Sequence, residues 1–196
     1  LTVNPVNDAP VVESYSDTSI DEDESLELQL IASDIDSSDL TFSASVDGNA
    51  TLSIADDLLT VIPNENYNGD IAVTVTASDG DLTGQSSFTL TVNPVNDAPV
   101  VDTILNDSVD EDQSYILEIS ASDVDGDQLT LTADVDGNGA ASVDGSTLTV
   151  TPSQDYNGDI VVTVTASDGQ LLGQSSFTLT VNPVNDAPVV ESYSDT

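Results

Sequence analysis

The sequence predicts an all-β protein built from two consecutive β-sandwich domains. Three observations lead to this prediction. The string VNPVNDAPVV occurs three times at a spacing of 89 residues, beginning at Val3, Val92 and Val181. Between the copies, apolar residues alternate with polar ones at the period of a β-strand, and no segment has the period of an amphipathic helix. Asp-Gly and Asn-Gly turns separate the alternating runs.

The strands follow each other in the same order in both repeats. The alternating runs are 26–30, 71–77 and 88–92 in the first repeat and 115–119, 160–166 and 177–181 in the second. Turn signals between them leave room for about seven short strands in about 90 residues, which is typical of an immunoglobulin-like sandwich. We therefore predict two tandem seven-stranded Greek-key sandwiches in an extended array.

Tyr67 and Tyr156 precede the penultimate predicted strand of their repeats. A tyrosine corner occupies this place in immunoglobulin-like sandwiches. A tyrosine that merely packs against a sheet edge fits the same position, so both interpretations stay open at this point.

The segment Asn-Pro-Val-Asn-Asp-Ala-Pro separates the last strand of one repeat from the first strand of the next. Its two prolines restrict the backbone, so the linker is short and stiff. We predict that residues 9–97 and 98–186 are complete domains, that residues 1–8 end a preceding repeat and that residues 187–196 begin a following one. Because the chain starts at Leu1 and has no Met, we expect it to be an internal part of a longer protein.

Composition excludes several classes of function. Among 196 residues there are 37 Asp and Glu and no Lys, Arg, His or Cys, so the formal net charge is −37. The chain therefore offers no histidine base, thiol nucleophile, lysine Schiff base or arginine clamp. The charge repels nucleic acid and anionic membrane surfaces. Acid pairs can hydrolyse glycosides, but small repeated sandwiches offer no cleft with unequal environments, so we predict no enzymatic activity.

Many of the acids recur in the same short loops of both repeats. Calcium takes six to eight oxygen ligands from carboxylates, amides and backbone carbonyls, and it tolerates irregular geometry. The recurring groups are Asp21–Asp23, Asp34–Asp36, Asp79 and Asn96–Asp97, with counterparts at Asp110–Asp112, Asp123–Asp125, Asp168 and Asn185–Asp186. The sequence therefore predicts Ca²⁺ as the cofactor. Solvated acidic turns are the alternative interpretation of these loops.

These residues resemble the cadherins, and more closely the bacterial cadherin-like tandem repeats of large secreted adhesins of the RTX type. Residues 94–99 are similar to the cadherin linker motif Asp-x-Asn-Asp-Asn-Ala-Pro. Asp123 and Asp125 resemble the Asp-x-Asp loop, Asp168 resembles the aspartate before the last strand, and Glu22 resembles the early glutamate. The four motifs occur in the order of the family, and the resemblance covers the whole repeat.

The resemblance implies that calcium binds where consecutive domains meet. The implied ligands at the middle junction are Glu22, Asn66, Asn68, Asn96, Asp97, Asp123, Asp125 and Asp168. The corresponding ligands at the two outer junctions are Asn7, Asp8, Asp34, Asp36 and Asp79, and then Glu111, Asp155, Asn157, Asn185 and Asp186. Asp21 or Asp23 is an alternative to Glu22. Because amides replace family carboxylates around Tyr67 and Pro94 replaces an aspartate, we expect one or two ions per junction rather than three.

A second calcium-like segment has a different interpretation. Residues 134–139 match the first half of an EF-hand loop, but position twelve is Gly145 and Ser45 replaces Asp134 in the first repeat. We predict a hairpin turn at this position.

The predicted function is that of calcium-rigidified spacer repeats in a long extracellular adhesin or surface fibre, and the resemblance implies a bacterial origin and type I secretion. The expected partners are neighbouring repeats of the same chain, with no nucleic acid and no direct membrane contact. The alternative is a calcium-dependent module that binds polysaccharide or further copies of itself. A third interpretation is that the acids serve hydration in a salt-adapted protein.

Overall fold

The computed structural model describes Asn4 and residues 6–188, and the chain divides into two compact units, residues 1–95 and 96–196. The regular secondary structure of the described residues consists of β-strands. The predicted all-β class is thereby confirmed. The domain boundaries at 9–97 and 98–186 stay a prediction, and the partial repeats proposed at the two ends lie partly outside the described residues.

The first unit is formed by two main sheets around one core. Its strands are β1 (Val11–Val12), β2 (Thr18–Asp21), β3 (Leu26–Gln29), β4 (Ala32–Ser33), β5 (Thr41–Val46), β6 (Ala50–Ala55), β7 (Leu58–Pro63), β8 (Gly69–Ser78) and β9 (Thr83–Asn93). One sheet has the order β2-β9-β8-β5 and the other the order β3-β7-β6, while β1 pairs with β4. β2 runs parallel to β9, and the remaining pairs are antiparallel.

The second unit repeats this topology. Its strands are β10 (Val100–Val101), β11 (Asp107–Asp110), β12 (Tyr115–Glu118), β13 (Ala121–Ser122), β14 (Thr130–Val135), β15 (Gly139–Asp144), β16 (Thr147–Pro152), β17 (Gly158–Ser167) and β18 (Leu172–Asn182). The sheet orders are β11-β18-β17-β14 and β12-β16-β15, and β10 pairs with β13.

The core of each unit comes from the alternation that the sequence shows. On β8, every second residue from Ile71 to Ala77 is fully buried, and on β9 the buried residues are Phe88, Leu90 and Val92. The second unit buries the corresponding residues of β17 and β18. Because the side-chain period of a strand is two, the intervening residues, most of which are Thr, lie on the outer face. The acids are thereby left to the loops and exposed faces.

The described part of each unit has nine strands rather than the predicted seven. The second predicted strand is divided into β3, which pairs with β7, and β4. The first is divided into β1 and β2, because β1 pairs with β4 while β2 pairs with β9. Between β1 and β2, the Asp17 carboxylate accepts a hydrogen bond of 2.7 Å from the Thr89 N–H. In the second unit the Asn106 side chain accepts the corresponding bond, at 2.8 Å, from Thr178. In each unit a side-chain oxygen thus replaces the backbone carbonyl that a continuous first strand would have offered as acceptor.

Tyr67 and Tyr156 use their phenol groups to bond to the backbone. Tyr67 Oη donates to the carbonyl of Asp70 at 3.0 Å, and Tyr156 Oη donates to the carbonyl of Asp159 at 2.8 Å. A phenol bonded to nearby backbone is the defining feature of a tyrosine corner, although the acceptor here lies downstream of the tyrosine rather than upstream. The next residue but one after Tyr67 is Gly69, whose φ of +133° disfavours any side chain.

The hairpin predicted at residues 134–139 is wrong. Gly137 and Asn138 make the turn with φ values of +138° and +56°, but β14 before it pairs with β17 and β15 after it pairs with β16. The turn therefore crosses from one sheet to the other. Strands rather than helices flank it, and the Asp136 carboxylate accepts a bond from the Val161 N–H at 3.0 Å. This carboxylate supports a turn, and the segment lacks the helices of an EF-hand.

Candidate metal sites

The predicted ligands lie at two ends of each unit, which we call the N-terminal pole and the C-terminal pole. At the N-terminal pole, the segment before the first strand meets the β4–β5 and β8–β9 loops in the first unit, and the β13–β14 and β17–β18 loops in the second. At the C-terminal pole, the end of the last strand lies beside the loop after β2, or after β11. The acids lie in these turns and loops because the inward-facing positions of the strands are occupied by apolar side chains, and turns favour Asp and Asn.

Asp168 orders the N-terminal pole of the second unit. Its Oδ1 accepts the N–H groups of Gln170 and Leu171, at 2.5 and 2.7 Å, while its Oδ2 accepts the Asn96 amide at 2.8 Å. The Asn96 amide and the two backbone N–H groups hold the pKa of the Asp168 carboxyl below its ordinary value. Asp168 is therefore an ionised group that already ties the linker residue Asn96 to the body of the unit.

The first unit has the same arrangement around Asp79. Asp79 Oδ1 accepts the N–H groups of Asp81 and Leu82, both at 2.7 Å, and Oδ2 accepts the Asn7 amide at 2.8 Å. The backbone N–H groups of Leu82 and Asp81, together with the Asn7 amide, lower the pKa of this carboxyl. The geometry is a property of the repeat because the two units show it independently.

The Asp-x-Asp loops place one carboxylate inside the pole. Asp34 Oδ1 accepts the N–H groups of Asp36 and Ser37, both at 2.7 Å, and Asp123 Oδ1 accepts the Asp125 N–H at 3.0 Å. The second oxygens, Asp34 Oδ2 and Asp123 Oδ2, are buried and accept no hydrogen bond from any residue that the structure describes. A buried polar atom without a partner carries an unbalanced desolvation cost, which is larger for an ionised group.

No side chain of this protein can supply the missing positive charge, since the sequence has no Lys, Arg or His. Carboxylate oxygens that face inwards beside other carboxylates are the ligands that calcium prefers. The set at the N-terminal pole of the second unit, Asp97, Asp123, Asp125 and Asp168 with the Asn96 amide, therefore fits a calcium ion in its donor chemistry.

The second acid of each loop holds the linker backbone. Asp36 Oδ2 accepts the Asp8 N–H at 2.9 Å, and Asp125 Oδ2 accepts the Asp97 N–H at 2.8 Å. These contacts bring the predicted linker and loop residues together within each unit.

Asn96 has less capacity to bind a metal than its place in the motif indicates. Its Nδ2 donates to Asp168, and its Oδ1 accepts the Gln170 amide at 3.0 Å. In the first unit Asp81 takes the place of Gln170. The sequence motifs did not single out Gln170, because its contact with Asn96 spans 74 residues.

Each C-terminal pole contains a buried glutamate. Glu22 is 5% exposed and accepts the Val95 N–H at 2.5 Å, and Glu111 is 6% exposed and accepts the Val184 N–H at 2.6 Å. Each glutamate thus binds the backbone just after the last strand of its own unit. Glu22, and not its acidic neighbours, is the buried member of its acidic triplet.

The C-terminal pole of the second unit also has an exposed acidic group. Carboxylate oxygens of Asp112, Asp155 and Asp186 all lie within 4.8 Å of one another. The pKa of the Asp155 carboxyl is raised. The main cause is the loss of solvation among its neighbours, and the negative charges of Asp112, Asp186 and Glu111 add to it. Asp112 was not among the predicted ligands. Its contact with Asp155, whose N–H it accepts at 3.3 Å, spans 43 residues and has no local signal.

The corresponding place in the first unit carries Asn66 instead of Asp155, with its N–H donating to Asp23 at 3.1 Å. Three other predicted residues lie at the surface. Asn68, Asn157 and Asn185 are exposed, and the Asn185 amide donates to the carbonyl of Asp186. The ligand role of every predicted residue stays a prediction.

Comparison with known proteins assigns the family. The model of the bacterial Ig domain matches residues 7–93 and 96–182. The chain belongs to the bacterial Ig domain family. The expectation of tandem bacterial repeats of immunoglobulin-like type is thereby confirmed. Among the residues that the structure describes, no helix has the length and hydrophobicity that a membrane span requires.

A chitinase A of Pseudoalteromonas piscicida is 29% identical over 190 residues, which is 93% of this chain and 23% of that protein. The chain therefore spans about a quarter of the length of this relative. Among solved structures, Drosophila N-cadherin EC1-4 gives a TM-score of 0.49 at 16% identity, covering 90% of this chain and 50% of that chain. The endo-fucoidan hydrolase MfFcnA4 from glycoside hydrolase family 107 gives 0.40 at 21% identity, covering 94% and 30%.

Proposed function

We propose that these bacterial Ig domains are calcium-stiffened, non-catalytic spacer repeats of a longer extracellular protein. The observation that carries the proposal is the pair of buried carboxylate oxygens, Asp34 Oδ2 and Asp123 Oδ2, for which the described residues provide no donor. A cation at each N-terminal pole would balance these charges. Calcium fits best because the surrounding donors are oxygens in an irregular arrangement.

Electrostatic repulsion supports a bound cation. Two carboxylates about 4 Å apart repel by about 4 kcal/mol at an effective dielectric constant of 20. The N-terminal pole of the second unit has four carboxylates, at Asp97, Asp123, Asp125 and Asp168. One calcium ion would halve their net charge of −4. The energy gained on binding would then stabilise the folded loops.

The linker contacts support a mechanical role. In the first unit Glu22 binds the backbone of Val95, and in the second unit Asp168 and Asp125 bind Asn96 and Asp97. Successive linker residues are therefore tied to one repeat or to the other. Calcium that strengthens these ties would reduce the freedom of the linker, as a spacer requires.

A calcium titration tests the proposal. Isothermal titration calorimetry of the whole chain should show binding, and thermal unfolding should show a higher Tm in calcium than in chelator. Asp123→Asn should weaken one class of sites, whereas Asp134→Asn removes the same charge from an exposed strand position that is Ser45 in the first unit and should change little. Equal stabilisation by sodium chloride alone would instead support salt adaptation and contradict the proposal.

Small-angle X-ray scattering tests the stiffness. Calcium should give a reproducible extended profile, and chelator should broaden the distribution of interatomic distances. If the profile is the same in both conditions while calorimetry shows binding, the repeats bind calcium but are not stiffened by it.

A second candidate function, polysaccharide binding, is favoured by one cavity. A cavity of about 510 Å³ in the second unit lies between residues 102–107 and 115–120. Asp102, Asp107 and Glu118 offer carboxylate acceptors for sugar hydroxyls, and Tyr115 offers an aromatic ring. The similarity to a chitinase makes chitin oligosaccharides the first ligands to test. Amide shifts of residues lining this cavity on titration with these sugars would support the candidate, and unchanged spectra at millimolar sugar would exclude it.

A further inference from the structure

In each unit, one glycine permits a very close approach between the start of the first strand and the hairpin of the last two strands. This hairpin carries the aspartate of the N-terminal pole, Asp79 or Asp168. A Cβ atom built on Gly173, in β18, would lie 1.7 Å from the carbonyl oxygen of Pro99 and 2.7 Å from its carbonyl carbon. A Cβ atom built on Gly84, in β9, would lie 1.8 Å from the carbonyl oxygen of Pro10. Real Cβ contacts do not come this close. The glycines are therefore required for space rather than for an unusual backbone angle.

The clash cannot be relieved by rotating a side chain, because the opposing atoms belong to the backbone. Pro99 is buried, so its peptide cannot move without disturbing its packing. To reach an ordinary contact distance, the Pro99 segment has to move by more than about 1 Å away from β18.

Such a movement would separate groups that now touch. Asp97 and Asn96 precede Pro99 by two and three residues, and Asp168 precedes Gly173 by five residues on the other side of the contact. The hydrogen bonds from Asn96 to Asp168 and from Asp97 to Asp125 are both 2.8 Å long. A shift of about 1 Å is large compared with the range of calcium–oxygen distances, about 2.3–2.6 Å.

We propose that Gly173 and Gly84 are positioning residues for the metal ligands at the N-terminal poles, an inference that rests on the proposed calcium function. Each glycine sets the distance between the linker ligands and the hairpin aspartate of its own unit. The first unit repeats the arrangement with Pro10, Asn7 and Asp79. Neither glycine binds the metal.

The test uses the whole chain with Gly173→Ala and the control Gly139→Ala. A Cβ on Gly139 would lie 2.9 Å from the Thr151 carbonyl oxygen, and the first unit already has Ala50 at this position, so the control adds a tight contact away from the linker. Calorimetry should show that Gly173→Ala weakens one class of calcium sites by about 10- to 100-fold, the range found for outer-shell partners of metal ligands. The control should keep the affinity of the unchanged chain.

A second measurement separates positioning from general destabilisation. A purely structural defect would lower Tm equally in calcium and in chelator, whereas loss of positioning should reduce the increase in Tm that calcium produces. Amide NMR signals of Asn96 and Asp168 should move in Gly173→Ala and stay in place in the control.

Gly84→Ala provides an independent variant, and it should weaken the sites of the first unit only. If the unchanged chain binds no calcium, the proposed function fails. If it binds calcium and both alanine variants bind with the same affinity, the positioning role is overturned while the function stands. Variants that stay unfolded in saturating calcium would show that the glycines serve the fold, which also overturns the inference.

Discussion

In each unit a tyrosine packs against the core phenylalanine of the last strand, but the two tyrosines come from different positions of the repeat. In the first unit Tyr15, between β1 and β2, packs edge to face on Phe88 with ring centroids 5.9 Å apart. In the second unit Tyr115, on β12, lies 6.0 Å from Phe177. The repeats thus fill one core position with an aromatic ring in two ways.

Each unit has an aliphatic residue at the position where the other unit has its tyrosine, so we expect the two positions to be energetically coupled. Ile104 occupies the position of Tyr15 in the second unit, and Leu26 occupies the position of Tyr115 in the first. Tyr115→Leu should remove an aromatic pair worth about 0.5–1.5 kcal/mol and leave part of its volume empty, so we expect a loss of about 2 kcal/mol in total. Ile104→Tyr alone should cost about 1–3 kcal/mol because two rings then compete for one space.

The double variant should be more stable than the sum of the single effects allows. Ile104→Tyr in the Tyr115→Leu background rebuilds the arrangement of the first unit, so the coupling energy should be at least about 1 kcal/mol in favour of the pair. Urea unfolding followed by circular dichroism measures all four proteins of the cycle. If the two single effects add to within about 0.5 kcal/mol, the rings do not share one space and the reasoning is refuted.

Three further predictions concern the poles and the corner. The pKa values of the Asp79 and Asp168 carboxyls are lowered in the folded protein. Their contribution to stability is therefore present above the ordinary pKa of 3.8 and is lost as the pH falls through the folded-state pKa values. Acid unfolding followed by circular dichroism should therefore depend less on pH below about pH 4 in Asp168→Asn than in the unchanged chain. Asp155→Asn should raise Tm in chelator, because it removes repulsion within the acidic group, and should reduce the further rise in calcium; a lower Tm in chelator would contradict this. Tyr156→Phe should lower the free energy of unfolding by about 1 kcal/mol because the bond to the Asp159 carbonyl is lost, and an unchanged urea midpoint would show that the corner bond contributes nothing.

The fold was predictable because its signals are local and repeated. Alternation along 71–77 identifies a strand with one buried face, and the structure buries the alternating residues Ile71, Val73, Val75 and Ala77. The division of the first strand was not predictable in this way. It depends on Asp17 meeting the Thr89 N–H across 72 residues, and sequence spacing does not show such a contact.

The candidate site was predictable at one pole more than at the other. At the N-terminal pole, Asp168, Asp125 and the linker residues belong to contiguous motifs, and the structure brings them together within one unit. At the C-terminal pole, the contact of Asp112 with Asp155 depends on two residues with positive φ, +65° and +57°. Such backbone conformations are uncommon outside glycine and leave no periodic pattern in the sequence.

The absence of basic side chains from the sequence divides the acids into two groups. For Asp168, amide and backbone N–H donors serve both carboxylate oxygens, so the ionised form is already stabilised by the protein. For Asp34 and Asp123, the described residues serve one oxygen and leave the other buried. Because the chain itself has no cationic side chain for this second oxygen, its compensation has to come from solution. The response of the repeats to calcium should therefore depend most on Asp34 and Asp123.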